Sequence, residues 1–110
     1  MAEAKYLPEF VKALNKYSNI KKSAKKTIEN LLQNPLGFGE PLKYALKGLS
    51  SCSVKKNFII VYVYCRECRI KNYQSINNCR DCNQTHDEIV KFLTIGPHDL
   101  AYKFVKKIDL

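Results

Sequence analysis

The run Phe58-Ile-Ile-Val-Tyr-Val-Tyr64 sets the strongest limit on what this chain can become. Every residue in it is β-branched or aromatic, without the polar alternation of a half-exposed strand, so it reads as a central strand buried on both faces. The rest of the chain must then supply strands beside it and cover for it. Residues 52–56, CSVKK, fit a short strand before it, and residues 88–95, EIVKFLTI, fit another after it. With 110 residues the chain is the size of one compact domain with a single core.

The covering elements are helical. Leu7, Phe10, Val11 and Leu14 fall at helical spacing in residues 7–18, with Pro8 in the first turn. Asn19 is placed to cap a second helix through residue 33, whose apolar stripe is Ile20, Ala24, Ile28, Leu31 and Leu32. Its opposite face carries Lys21, Lys22, Lys25 and Lys26 and reads as solvated. Asn34-Pro35 stops it. The segment PLGFGEPLKYALKG then reads as a connector rich in Gly and Pro, with one short helical turn near Lys43 to Leu46. Gly96-Pro97 opens a last helix, HDLAYKFVKK, with Asp99 in its first turn. The expected class is α+β: two N-terminal helices on a small antiparallel sheet, with a short C-terminal helix.

Hydrophobic residues make up 45% and charged residues 26%, an ordinary globular balance, and no apolar run is long enough to span a bilayer. The first residues, MAEAKYLPEF, lack the basic and apolar regions of a signal peptide, so a cytoplasmic location with reduced or metal-bound cysteines is expected. A net charge of +9 favours nucleic acid or an acidic protein as partner, although the lysine bias behind it also occurs without either.

Between the second and third strands lies CRECRIKNYQSINNCRDC, in which Cys65, Cys68, Cys79 and Cys82 form two C-x2-C pairs. Thiolates at this spacing suit a tetrahedral Zn²⁺ site with no open coordination position, so the metal is read as a structural clasp on a hairpin insertion, residues 65–82. Cys52 is read as a buried small hydrophobe. All three arginines, Arg66, Arg69 and Arg80, lie in this insertion beside Tyr73. They either contact nucleic acid phosphates or balance the charge of four thiolates.

Set apart from the cysteine segment, the order of elements in NPLGFGEPLKYALKG, CSVKKNFIIVY and IVKFLTIGPHDLAYK resembles the RelE/ParE superfamily of small toxins, with a zinc-binding insertion like that of some archaeal-type members. Members usually begin with an edge strand, for which only MAEAKY is available here. The resemblance implies a type II toxin: an endoribonuclease that cleaves mRNA on the ribosome by attack of the 2′-hydroxyl without a catalytic metal, and that a small acidic antitoxin holds inactive. It places catalytic residues at Lys55, Lys56, His98 and Tyr102; RNA contacts are expected, apart from the resemblance, at Lys43, Lys47, Arg66, Arg69 and Arg80. Lys55 is preferred over Lys56 because strand alternation puts it on the face of Ser53. His98 and Tyr102, four residues apart, share a helix face. His98 also stands in a first turn whose N–H groups favour phosphate. The arginine of the family's y-R-i-i-Y pattern falls on Ile59. Two other readings follow from the same residues: a non-catalytic zinc-ribbon module that binds nucleic acid, and a ParE-type toxin with a protein target.

Overall fold

A computed structural model describes residues 2–42, 48–55, 57–73 and 86–105. Five strands form one sheet in the order β1-β5-β4-β3-β2: β1 is Glu3–Tyr6, β2 Glu40–Pro41, β3 Ser50–Lys55, β4 Phe58–Tyr64 and β5 Ile89–Pro97. The helices are α1 (Pro8–Lys16), α2 (Lys21–Gln33), α3 (Cys65–Ile70) and α4 (His98–Val105), with a 3₁₀ turn at Ser18–Ile20.

The buried run occupies β4 as expected, between β3 and β5. Its alternate residues feed two cores. Ile60, Tyr62 and Tyr64 meet Phe10, Ala24, Ile28 and Leu31 from α1 and α2, together with Val90, Phe92 and Ile95 of β5. Ile59, Val61 and Val63 face Ala101 and Val105 of α4, with Leu49, Cys68 and Leu93. A bulge in β5 makes this sharing possible. Tyr62 pairs with Phe92 and Val61 with Thr94, so Leu93 is the extra residue and Ile95 returns to the first core opposite Ile60.

The sheet is mixed rather than antiparallel, because an edge strand forms after all. Glu3 to Tyr6 pair in parallel with Ile89 to Phe92. The start of β1 is tied further, Ala2 N–H to Leu32 O at 2.8 Å and Glu3 N–H to Glu88 O at 2.7 Å. Four residues this polar hold a strand only because β5 is already there to accept them.

At the helices, Pro8 sits in the first turn of α1 and Lys16 in its last. Asn19 does not cap α2: it lies inside the 3₁₀ turn, and Ile20 takes the cap position without a side-chain hydrogen bond. The stripe on α2 is confirmed, with Ala24, Ile28 and Leu31 buried. The strand of residues 88–95 runs on through Pro97, which ends the strand opposite Phe58 instead of opening the helix. Proline is tolerated at such a terminus, where no further ladder N–H is needed.

The cysteine segment does not leave β4 as a hairpin. It begins as α3, placing Cys65 and Cys68 on one helix face, both buried. Cys79, Cys82 and Arg80 lie outside the described residues, as do Lys43, Lys47, Lys56 and the expected helical turn near Lys43 to Leu46.

Candidate active site and the base of the cysteine segment

The face of the sheet covered by α4 gathers the residues of chemical interest. The β3–β4 turn carries Asn57 in the left-handed region (φ 69°), a conformation asparagine adopts more readily than most residues. Its carbonyl accepts the His98 N–H at 2.8 Å, which pins the start of α4 to the hairpin. One of the first-turn N–H groups expected to face a phosphate is therefore already occupied.

One turn along α4, Tyr102 meets His98 edge to face with ring centroids 4.5 Å apart. The expected pair is thus brought together. The His98 side chain is 57% exposed, and its Nδ1 lies 3.3 Å from Oδ1 of the fully solvated Asp99. Tyr102 is half-buried against the second core, and its hydroxyl lies 3.4 Å from Ser51 Oγ on β3. Ser51 has no signal in the sequence, since its partner is far along the chain.

Lys55 closes the end of β3 and is exposed. The pairing shifts register between Ser53, opposite Ile59, and Lys55, opposite Phe58. Strict alternation breaks at that point, so it no longer supports a common face for Ser53 and Lys55. Ile59, where the resemblance puts an arginine, is 6% exposed in the core beneath α4. Any cation acting here must come from elsewhere.

Two of the three arginines are held within the protein. Arg69 makes a 2.7 Å ion pair with Asp87, and Arg66 lies 3.4 Å from Glu88. The Arg66 N–H also donates to the Asp87 carbonyl at 3.1 Å. His86 adds a link to β1, with Nε2 3.1 Å from Glu3 Oε2 and Nδ1 accepting the Glu88 N–H at 3.2 Å. These contacts join the start of α3 to the approach to β5 and close the base of the cysteine segment. The run His86-Asp87-Glu88, just after the arginines in sequence, was the available signal for this clasp.

Cys65 and Cys68, at i and i+3 on the first turn of a helix, share one helix face, a donor pair of the kind that makes up half of a four-thiolate zinc site. Among the described residues no group of three or more metal-ligating side chains occurs. Cys52 is half-buried, which pushes its thiol up from the ordinary value, and its Sγ lies 3.5 Å from the Phe38 carbonyl.

The mixed five-stranded sheet, with α1 and α2 on one face and α4 on the other, has the fold of RelE-type toxins. Solved structures that share it include YafQ from E. coli strain BL21(DE3), at 15% identity and a TM-score of 0.63 over 93% of this chain and 99% of that one. The E. coli DinJ-YafQ complex matches at 16% identity and a TM-score of 0.62, over 93% and 99%. A metal-bound toxin from Helicobacter pylori matches at 20% identity and a TM-score of 0.63, over 91% and 98%. No protein-family model and no curated protein matches the sequence.

Proposed function

We propose that this protein is the toxin of a type II toxin–antitoxin pair, an endoribonuclease that cleaves mRNA on the ribosome. The observation that carries this reading is the His98–Tyr102 pair at the first turn of α4, anchored to the β3–β4 hairpin, in a fold shared with the YafQ toxin. Attack of a 2′-hydroxyl on the adjacent phosphate needs an acid for the leaving 5′-oxygen and positive charge for the developing phosphorane. His98 is exposed enough to reach that oxygen and is proposed as the acid. Tyr102 positions the nucleotide through its ring or hydroxyl, and Lys55 or Lys56 supplies charge that Ile59 cannot.

A structural zinc ion held by Cys65, Cys68, Cys79 and Cys82 belongs to this reading. It is supported by the adjacent buried sulfurs on α3 and by the metal-bound toxin of the same fold. Arg66 and Arg69 serve the base of that segment first, because reaching RNA would require each to give up an acidic partner. RNA contacts then fall to Lys43, Lys47 and Arg80. The inhibiting partner is a small acidic antitoxin, as the DinJ-YafQ complex suggests by its existence. A groove of about 740 Å³ between α1 and α2, floored by Phe10, Val11 and Leu14 and edged by Lys21 and Lys22, suits an acidic amphipathic segment.

The test is cleavage of mRNA on programmed ribosomes. Wild-type protein should cut, and folded His98→Ala should lose about a hundredfold to ten-thousandfold in rate, the range for a positioned acid. Lys25→Ala, on the solvated face of α2, should keep its rate. Equal activity in His98→Ala and Lys25→Ala removes His98 from the mechanism and favours a non-catalytic nucleic-acid-binding module.

A further inference from the structure

We propose that Ser51 is a positioning residue for the reaction, acting through Tyr102 on His98; this rests on the ribonuclease reading above. The β3–β4 hairpin grips α4 at two points one helical turn apart. At the turn, the Asn57 carbonyl takes the His98 N–H at 2.8 Å, which fixes where the helix begins. Near the start of β3, Ser51 Oγ and Tyr102 Oη lie 3.4 Å apart, part-buried, and either hydroxyl can donate. The second contact sets the direction of the phenol.

Among the described residues the His98 ring has little else to hold it. Its neighbour Asp99 is 96% exposed, so their 3.3 Å contact is screened by water. What remains is the edge-to-face packing on Tyr102, with centroids 4.5 Å apart. Ser51 is by contrast on a rigid support. It is paired with Val61 of the central strand on one side and Glu40 on the other. A hydroxyl fixed in the sheet thus sets the phenol, and the phenol sets the imidazole. The 3.4 Å separation is long for a hydroxyl pair, as hydrogen bonds at catalytic sites often are before substrate is bound.

The experiment compares Ser51→Ala, Ser51→Thr, Tyr102→Phe and the double variant Ser51→Ala/Tyr102→Phe. Two readouts are used: kcat and KM for cleavage on programmed ribosomes, and the NMR ring-current shifts of the His98 imidazole protons in the free protein. Ser51→Ala should lower kcat about three- to tenfold, the scale of one hydrogen bond, with KM unchanged. Ser51→Thr, which keeps the hydroxyl in a residue suited to a strand, should restore most of it. The double variant should be no slower than Tyr102→Phe alone, since both changes cut the same link. In the NMR spectrum Ser51→Ala should move the His98 shifts toward random-coil values while leaving the first-core signals in place. Unchanged His98 shifts in Ser51→Ala, or losses that multiply in the double variant, overturn the proposal. If wild-type protein does not cleave at all, the ribonuclease reading fails, and the NMR comparison still decides whether Ser51 orients the pair.

Discussion

Phe92→Ala should be among the costliest single substitutions in this protein. The side chain is fully buried at the centre of the first core. It packs against Tyr6 at 5.3 Å, Phe10 at 5.5 Å and Tyr62 at 6.4 Å between ring centroids, and so joins β1, α1 and β4 to β5. Truncating a buried phenylalanine costs about 3–5 kcal/mol from lost transfer energy and the cavity left behind. Aromatic pairing beyond area burial is worth about 0.5–1.5 kcal/mol per pair, and sharing of one ring among three partners keeps the total near the upper end of that range. For a domain whose whole stability is about 5–15 kcal/mol, this is a large fraction, and Tm should fall by roughly 10–25 °C. Phe92→Leu keeps most of the volume and should cost only about 1–3 kcal/mol, the repacking term plus part of the aromatic one. Urea unfolding followed by circular dichroism measures both. Because Phe92 lies on the opposite side of the sheet from α4, the folded fraction of either variant should retain any cleavage activity. A loss in Phe92→Ala below about 1 kcal/mol, with an unchanged m-value, would show that the aromatic stack does not organise this core.

Freshly purified protein should contain one zinc ion per chain by elemental analysis; less than half an equivalent counts against the four-cysteine site. Cys68→Ser should lower that content and, with Cys68 packed in the second core, also reduce stability. A β-carbon at Gly39 would meet Tyr62 Oη and lie 2.9 Å from the Ser51 carbonyl, so Gly39→Ala should destabilise by about 1–3 kcal/mol, and a wild-type Tm would contradict the tight approach. Burial, and then the neighbouring Cys52, raise the Tyr62 phenol well above its ordinary 10.0, and burial raises Tyr6 and Cys52 too. A group whose folded pKa is raised contributes stability below its unfolded pKa and loses it as pH climbs, so urea midpoints should fall from about pH 9 upward, and Tyr62→Phe should flatten that fall.

What could be read from the sequence follows from how local the cause was. The central strand matches its expected bounds because a run of β-branched and aromatic residues has no competing use. The α2 stripe was legible for the same reason, its period being set by consecutive turns. The pair His98 and Tyr102 was legible because i and i+4 always share a helix face. By contrast β1 forms only against β5, and nothing within Glu-Ala-Lys-Tyr announces a strand. The C-x2-C spacing was ambiguous in itself, since three residues bring two sulfurs together on a helix as well as in a turn. Asn19 was a good cap by type but not by place. Ser51 and Asn57 act through partners distant in sequence, so their roles became visible only once the hairpin and α4 had been brought together.

The parallel pairing of β1 with β5 also bears on how the protein comes into being. Glu3 is made well before its partner Ile89, so until β5 emerges the strand β1 has no neighbour to pair with. At about 5–20 residues per second, that wait lasts several seconds. His98 and Tyr102 emerge later still, behind β5, so the site cannot assemble while any substantial part of the sheet is missing. Closure between chain segments so far apart also requires the large loop entropy to be overcome before any contact rewards it. The His98–Tyr102 pair of a nascent chain therefore comes together only after almost the whole described chain has been released to fold.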